Sequence, residues 1–313
     1  AIGVDVRVKE GTRWNSKFIK LKEDGELILS AGSYNSPIIL QNSGIGPQSV
    51  LNRLRVDPIE GIDSEVMEEV GKNFWNPVYM NWVLGELRLN VHEAPVTSDD
   101  PNIDSEWIIT FLRDNDNNSY LRCDWRIKFR NGNYMIETES MEVMSPMNIN
   151  GSIESGGTDE RAQPRIAVNF FANNEEYLLK VCDETEVFYR KIVLPLYNLN
   201  KYNLMQGTSM DAFSRFPSLQ QEVLANPNYR FRDNDQLKTW LRRNIAKYDS
   251  IHNGGTCCIG KVVDNEYKVK GTQNVRVADL SVLPAPSPGN PMGAAYQMGC
   301  CLSYILVKEK KGA

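Results

Sequence analysis

Residues 32–46 of the chain, with the sequence GSYNSPIILQNSGIG, decide most of what can be predicted about the fold. Residues 31–33 break the preceding strand and open a helix, for which Ser36 and Pro37 form a typical N-terminal pair. The apolar run at residues 38–40 supplies the face that would be buried. Residues 43–47 hold the Gly and Pro residues that end such a helix. Because this helix follows directly on an apolar strand, the stretch predicts an α/β arrangement.

The stretch before this helix is predicted to be a β-meander over residues 1–31. Apolar and polar residues alternate in much of it, as in half-buried strands. Asp24 and Gly25 stand between the last two predicted strands, and this dipeptide is a strong hairpin signal. After the helix, residues 48–54 predict a second, short helix. We place the end of this first segment at residue 79.

The middle of the chain, residues 80–249, has a different character. Two helices are predicted there, over 175–193 and 237–248, from the spacing of their apolar residues. Three runs are strand-like and rich in aromatic and β-branched residues: 107–112, 121–129 and 134–139. An antiparallel sheet flanked by helices, hence an α+β domain, is the expected architecture.

The last segment, residues 250–313, is predicted to contain a buried strand at 275–279 and a helix from about 292 to 308. This helix begins with small residues, so a ligand can come close to its free N–H groups. The chain as a whole is therefore predicted to be α/β plus α+β. The predicted segments are 1–79, 80–249 and 250–313.

Composition excludes several classes of function. The 313 residues carry 35 Lys and Arg against 40 Asp and Glu, a net charge of −5, so nucleic acid is an unlikely direct ligand. No apolar run approaches the ~18 residues that a membrane-spanning helix needs, so no membrane partner is expected. Two His residues leave no room for a His-rich metal centre. An ordinary globular protein of about two domains fits these counts.

The six Cys residues predict buried free thiols rather than a metal or redox site. Four of them stand in adjacent pairs, and no C-x-x-C spacing occurs. Small apolar packing is the simplest use for such residues. They are Cys123, Cys182, Cys257, Cys258, Cys300 and Cys301.

Two stretches near opposite ends of the chain carry a resemblance to a known family. Residues 32–46 resemble, at nearly every constrained position, the second signature of the glucose–methanol–choline (GMC) flavin oxidoreductases. The stretch from residues 151–153 through 164–166 also looks like the strand that precedes the family's C-terminal segment. That C-terminal segment is similar, in order and spacing, to five runs: 252–257 (HNGGTC), 262–264 (VVD), 269–271 (VKG), 275–281 (VRVADLS) and 289–291 (GNP).

The resemblance implies part of an FAD-binding, Rossmann-like domain together with a substrate domain built on an antiparallel sheet. The implied cofactor is FAD. Residues 1–79 would be the C-terminal part of the first FAD-domain segment, 80–249 the substrate-binding domain, and 250–313 the last FAD-domain segment with the catalytic motif.

This sequence departs from the family in two respects. The dinucleotide fingerprint G-x-G-x-x-G is absent, so the chain resembles the C-terminal half, or slightly more, of a family member. A missing N-terminal FAD-binding segment or chain is therefore an expected partner, and the start at Ala1 without a signal-peptide pattern fits a truncated or processed product. Residues 71–75 (GKNFW) are followed by Asn76 and Pro77 where the family commonly has Asp-His, so cofactor contacts in that loop are expected to differ.

The resemblance also assigns roles to individual residues. His252 matches the catalytic histidine and would be the base that takes the hydroxyl proton of the substrate, because imidazole titrates near neutrality. Asn290 matches the second catalytic position, His or Asn in the family, and would hydrogen-bond the substrate oxygen. Asp279 would lie by the flavin diphosphate or ribitol. The expected cofactor-binding residues are Ala31, Gly32, Asp279, Asn290, Pro291 and Met292, and no metal ligand is expected.

The function implied first is an FAD-dependent alcohol oxidase or dehydrogenase, in which a small-molecule alcohol gives a hydride to flavin N5. A hydroxynitrile lyase is a second possibility, because residues 260–264 (GKVVD) are similar to those plant enzymes, although Asn290 argues mildly against it. The third is an inactive, truncated GMC protein with a structural role in a virion, such as that of a giant virus. Homo-oligomers and a cytoplasmic or virion location fit these alternatives.

Overall fold

The structure is a computed structural model, and its described residues are 1–80, 87–89, 105–114, 119–130, 133–143, 151–159, 162–168, 171, 174–193, 222, 225–244, 252–287 and 290–312. The strands are β1 (Gly3–Glu10), β2 (Arg13–Lys20), β3 (Leu27–Leu29), β4 (Val78–Met80), β5 (Leu87–Leu89), β6 (Ser105–Asp114), β7 (Ser119–Arg130), β8 (Asn133–Val143), β9 (Ser152–Glu154), β10 (Arg165–Ala167) and β11 (Val275–Val277). The helices are α1 (Gly32–Asn42), α2 (Gln48–Leu54), α3 (Ser64–Glu69), α4 (Glu175–Phe188), α5 (Asp235–Asn244) and α6 (Met292–Gly312).

The first strands form a hairpin and a separate parallel pair rather than a meander. β1 and β2 pair antiparallel with Glu10 opposite Arg13, whereas β3 pairs in parallel with β11. The expected hairpin at residues 24–25 is therefore wrong. The side-chain amide of Asn274 donates to the carbonyl oxygen of Gly25 at 3.0 Å, and the Leu27 N–H donates to the carbonyl oxygen of Asn274 at 2.9 Å. These bonds direct β3 toward β11. Short-range sequence signals cannot predict this pairing, because the two strands lie far apart in the sequence.

The chain divides into two compact units. The first is made of Ala1–Asn76, Ile149–Asn169 and His252–Ala313, and the second of Pro77–Asn148 and Phe170–Ile251. The main difference from the expected boundaries is the stretch from Ile149 to Asn169, which belongs to the first unit rather than to the middle segment.

Gln41 of α1 explains why this stretch packs with the first unit. Its side-chain amide donates to the carbonyl oxygen of Ile153 at 3.1 Å and accepts from the Ser155 N–H at 2.6 Å. The Ile153 N–H donates to the carbonyl oxygen of Gly71 at 2.7 Å. β9 is thus hydrogen-bonded along its length to residues from the first segment, and Ile153 is fully buried.

The core of the first unit lies between β3, β11, α1 and α6. It consists of aliphatic residues on both sequence segments, and α6 adds Met298 and Leu302 to it. This packing confirms that the two ends of the chain fold together. Other members include Leu29, Leu40, Leu51, Val262, Val263, Val269, Val275, Val277 and Val282.

The second unit contains the antiparallel sheet that its aromatic and β-branched composition predicts. The strand order is β4-β8-β7-β6, with β5 also pairing with β8. A bulge interrupts the β7–β8 register at Asp124 and Trp125. α4 packs against β7 and α5, and its predicted span is confirmed through the π-helical turn Tyr189–Val193. The expected α+β arrangement of this region is therefore correct.

Candidate functional site

The carboxylate of Asp279 holds the start of α1. Its Oδ2 accepts from the Gly32 N–H at 2.9 Å and from the Ser36 hydroxyl at 2.5 Å, and its Oδ1 accepts from the Ser281 N–H at 2.8 Å. The Ala31 N–H donates to Ser36 Oγ at 3.1 Å. A negative charge at a helix N-terminus is favoured by the helix dipole. Three of the expected cofactor-binding residues, Ala31, Gly32 and Asp279, therefore form one cluster.

Pro37 shapes the first turn of α1 in a way that we did not predict. The helix opens at Gly32, within the expected stretch 31–33, so Pro37 lies inside the helix rather than at its first position. Pro37 therefore has no N–H to donate to the carbonyl oxygen of Ser33, four residues earlier. The hydroxyl of Thr256 donates to that oxygen at 2.7 Å instead. This bond joins the two stretches of sequence that carry the resemblance.

The segment that follows His252 is fastened to α1 at further points. The Ser33 hydroxyl donates to the carbonyl oxygen of Asn253 at 2.7 Å, and the Asn253 side-chain amide donates to the Tyr34 hydroxyl at 3.1 Å. Asn253 and Thr256 are buried, and His252, one residue earlier, is half-buried. The backbone thus fixes the expected base beside the helix whose start holds Ala31 and Gly32.

Two glycines in this segment are required by close packing. A Cβ on Gly254 would lie 2.2 Å from the Trp75 ring, and a Cβ on Gly255 would lie 2.1 Å from the carbonyl oxygen of Asn73. Gly255 also has a φ of +88°, which residues with a side chain rarely adopt. The loop before Asn76, where the sequence differs from the family pattern, is therefore packed directly against the segment that carries His252.

The face in front of Gly32 is open. Gly32 has a φ of +79°, and nothing lies within 4 Å of the position that a Cβ would take. Ala31, next to it, is exposed. An open backbone beside a half-buried carboxylate suits a ligand that carries hydroxyl groups, because the Asp279 Oδ1 can accept a second donor. A phosphate would be repelled there by the charge of the carboxylate.

The remaining expected residues lie at the start of α6. Asn290 is exposed, Pro291 is buried, and Met292 exposes 67% of its surface. The Ala295 N–H donates to the carbonyl oxygen of Pro291 at 2.9 Å, so the N–H groups before it belong to the free first turn of the helix. Gly293 is also open, with nothing within 4 Å of a Cβ position.

Four of the six cysteines behave as predicted. Cys123, Cys182, Cys257 and Cys258 are buried free thiols. Burial raises the pKa of Cys182 to about 12 and that of Cys258 to about 11, so neither is a reactive thiolate at neutral pH. The prediction is wrong for Cys300 and Cys301, which are exposed. Within the described part of the chain, no group of His, Cys, Asp or Glu has the geometry of a metal site, and no helix there has the length and apolar character to cross a membrane.

Sequence reasoning missed Ser36, Ser33 and Thr256 as parts of the site. Their contribution is positional, since they link Asp279, α1 and the His252 segment. One signal was available, because a Pro in the first turns of a helix leaves a carbonyl oxygen that needs another donor.

Comparison with known families agrees with this geometry. The two domain models of the GMC oxidoreductases match residues 1–77 and 148–299. The chain belongs to the GMC oxidoreductase family. The matched regions include the Asp279 cluster and the His252 segment, and members of the family are FAD-dependent flavoproteins.

Several relatives align with almost the whole chain. It is 22% identical to (R)-mandelonitrile lyase 2 of Prunus dulcis, covering 100% of this chain and 52% of that protein. It is 24% identical to the oxygen-dependent choline dehydrogenase of Proteus mirabilis (strain HI4320), covering 91% and 51%. The chain therefore spans about half the length of the curated relatives it matches.

A solved structure shows the same fold. The formate oxidase of Aspergillus oryzae RIB40, studied for its FAD modification, superimposes with a TM-score of 0.67 at 18% sequence identity. The superposition covers 98% of this chain and 58% of the oxidase. This likeness concerns the fold, in which both helices and sheets take part.

Proposed function

We propose that the chain is part of an FAD-dependent oxidoreductase that acts on the CH–OH group of a small-molecule alcohol. The observation that carries the proposal is the pair of hydrogen bonds from Ser33 and Thr256, which hold the His252 segment against the start of α1. A candidate base is thereby fixed next to an open backbone at Gly32 that fits a cofactor. The choline dehydrogenase among the relatives supports an alcohol as substrate.

The first unit is the part that would hold the cofactor. Bound FAD supplies an acceptor for the hydride that leaves the alcohol carbon. Gly32 leaves open space for it, and Asp279 Oδ1 can accept a hydroxyl of its ribityl chain. We favour the ribityl chain over the diphosphate at this position, because the negative charge of Asp279 would repel a phosphate. The Rossmann-like description of this unit belongs to the same proposal.

His252 and Asn290 would act on the substrate hydroxyl. An imidazole nitrogen of His252 takes the hydroxyl proton, which leaves electron density on the oxygen and weakens the C–H bond next to it. The side-chain amide of Asn290 donates to the same oxygen and orients it. The free N–H groups at Met292 and Gly293 lie at the positive end of the α6 dipole and stabilise negative charge brought near them. For the second unit, with its antiparallel sheet, we propose the role of a substrate-binding domain.

The test is to load the protein with FAD and replace His252 by Ala. The base contributes about 10²–10⁴-fold to such a proton transfer, so His252→Ala should slow bleaching of the visible flavin absorbance by an alcohol to that extent while the protein stays yellow. His92→Ala, at the other His of the chain, is the matched control and should bleach at the original rate. An unchanged rate in His252→Ala would remove the base assignment.

A lyase acting on cyanohydrins is the second candidate, because mandelonitrile lyases align with the whole chain. In that reaction the base takes the same hydroxyl proton, the bond between carbon and cyanide breaks, and no electrons pass to the cofactor. Mandelonitrile therefore separates the two candidates. Cyanide release without flavin bleaching supports the lyase, whereas bleaching by an alcohol without cyanide release supports the oxidoreductase.

An inactive, truncated structural protein of a virion stays a prediction, as does the cytoplasmic or virion location. A colourless protein that does not take up FAD would support it. The same purified sample answers this question before any substrate is added.

A further inference from the structure

Asn253, the residue directly after His252, is held at both of its polar ends by consecutive residues of α1. Its carbonyl oxygen accepts from the Ser33 hydroxyl at 2.7 Å, and its side-chain amide donates to the Tyr34 hydroxyl at 3.1 Å. Asn253 exposes 7% of its surface, so water cannot easily replace either bond, and a lost partner would leave a buried polar group unsatisfied.

The Tyr34 hydroxyl has a defined position because its ring is packed. The ring centroid lies 5.6 Å from that of Phe74. Phe74 is fully buried, and its N–H donates to the carbonyl oxygen of Gly151 at 3.0 Å. A Tyr side chain is rigid and turns about two bonds only, so packing of the ring also places the oxygen. Tyr34 therefore presents a fixed acceptor to the Asn253 amide.

The residues that follow Asn253 are fixed in a different way, through their backbone. Gly254 exchanges two hydrogen bonds with Trp75, at 3.1 and 3.0 Å, and the Gly255 N–H donates to the carbonyl oxygen of Leu280 at 3.2 Å. These bonds lie on the far side of Asn253 from His252. The direction of the chain at His252 therefore also depends on how Asn253 itself is held.

The two bonds of Asn253 determine the direction in which the chain leaves it toward His252. The Cα of Asn253 carries its side chain, its carbonyl carbon, its backbone nitrogen and a hydrogen. Tyr34 holds the side chain, and Ser33 holds the carbonyl group. Because an L-residue has a single arrangement of these four groups, fixing two of them fixes the bond to the nitrogen, which leads to His252. Without the Tyr34 bond, the Cα can turn while the Ser33 bond is kept.

We propose that Tyr34 is a positioning residue for His252 and acts through the side chain of Asn253. The inference rests on the proposed function, in which His252 is the base. A base must hold its nitrogen within hydrogen-bond reach of the substrate hydroxyl, and a misplacement of about 1 Å can cost on the order of 10²-fold in rate. The Tyr34 hydroxyl is thus expected to affect the rate of the proton transfer more than the binding of the alcohol.

NMR of the imidazole rings tests the positioning without cofactor or substrate. The chain has two His residues, His92 and His252, so His92→Ala assigns both ring signals. Tyr34→Phe removes the hydroxyl and keeps the ring that packs on Phe74. It should shift or broaden the His252 signal and leave the His92 signal in place. Tyr304→Phe is the matched control, because it removes a hydroxyl from a ring that is 71% exposed, and it should change neither signal. An unmoved His252 signal in Tyr34→Phe would overturn the inference.

A double-mutant cycle on the FAD-loaded protein tests whether Tyr34 acts through Asn253. In the original chain, Tyr34→Phe should slow flavin bleaching at saturating alcohol about tenfold, and the alcohol concentration for half-maximal rate should stay the same. In the Asn253→Ala background the same change should slow bleaching by less than about twofold, because the connection is already broken. Equal slowing in both backgrounds would mean that Tyr34 acts independently of Asn253, and the inference would be refuted.

The two experiments separate failure of this inference from failure of the proposed function. If no alcohol bleaches the flavin of the original chain, the proposed oxidoreductase is refuted, and the NMR comparison still decides whether the Tyr34 hydroxyl positions His252. If an alcohol bleaches it and the His252 signal is the same in Tyr34→Phe, the proposed function stands and the role of Tyr34 is refuted.

Discussion

Charged side chains hold α1 at its start and α6 near its end. The start of α1 is held by Asp279 and Thr256, which reach it from the distant C-terminal segment. α6 is held instead near its last turns, where Glu309 pairs with Arg276 at 2.6 Å and with Lys268 at 3.1 Å. Its first turn, at Met292 and Gly293, is exposed.

The difference shows which helix start is available to a ligand. Asp279 already occupies the N–H of Gly32 at the start of α1, so the positive end of that dipole is neutralised by the protein itself. The N–H groups at the start of α6 have no acceptor within the helix itself. We therefore expect a negatively charged ligand group at α6 and a hydroxyl-bearing group beside Asp279.

Replacement of Asp279 by Ala should have the largest effect, because it breaks the anchor of α1. The change leaves the Gly32 and Ser281 N–H groups and the Ser36 hydroxyl without their acceptor. At about 1–3 kcal/mol for each half-buried unsatisfied group, the free energy of unfolding should fall by ~3 kcal/mol or more. Urea unfolding followed by circular dichroism measures it.

Two control variants show whether the carboxylate itself is responsible. Asp279→Asn keeps one acceptor oxygen and should lose about half as much stability. Asp5→Ala, at an exposed position on β1, should change the free energy of unfolding by less than ~0.5 kcal/mol. Equal losses in Asp279→Ala and Asp5→Ala would mean that α1 is not anchored by Asp279.

The anchors also explain what the sequence alone could predict. Local sequence patterns placed α4, α6 and the three long strands β6, β7 and β8 of the second unit, because those elements follow from spacings of a few residues. Local signals also placed the opening of α1 at residues 31–33, where it lies, but not the group that caps it. Its N-terminus is capped by Asp279, which lies 247 residues further along the sequence. Sequence patterns around α1 therefore cannot indicate this cap.

The cofactor-binding cluster could be predicted from the sequence, whereas the contact of Gln41 with β9 could not. Ala31, Gly32 and Asp279 were predicted through the family resemblance and are joined by hydrogen bonds in the structure. The clamp of Gln41 on β9 was not predicted, and residues 149–169 were assigned to the wrong side of a boundary for that reason. The Gln41 side-chain amide bonds to backbone groups at β9, as a neighbouring strand would. This is a tertiary contact, and sequence composition does not reveal it.

Two glycine substitutions compare the starts of α1 and α6, with smaller expected changes in the free energy of unfolding. Gly32→Ala should cost about 1–2 kcal/mol, because a φ of +79° is unfavourable for Ala even in open space. Gly293→Ala should gain up to ~1 kcal/mol, since Ala favours a helix interior more than Gly does. Both methyl groups would nevertheless enter space that we assign to the cofactor. FAD titration should therefore show weaker binding in both variants, and tight binding to Gly293→Ala would exclude the start of α6 from the cofactor site.

The smallest expected effect concerns the far end of α6 and depends on pH. The Arg276 guanidinium and the Lys268 ammonium lower the pKa of Glu309 below its usual 4.5. A carboxyl whose pKa is lower in the folded state stabilises the protein above its unfolded pKa, and that stabilisation disappears as the pH falls through the folded value. Glu309→Gln should thus lose ~1 kcal/mol or less of the free energy of unfolding at pH 7. This deficit relative to the original protein should shrink as the pH drops below about 4.5.

Glu23→Gln, at an exposed position, is the control and should change the free energy of unfolding by less than ~0.5 kcal/mol. A deficit that stays constant from pH 7 to pH 3 would mean that Glu309 contributes packing rather than charge, and that α6 is held at its end by its apolar residues alone.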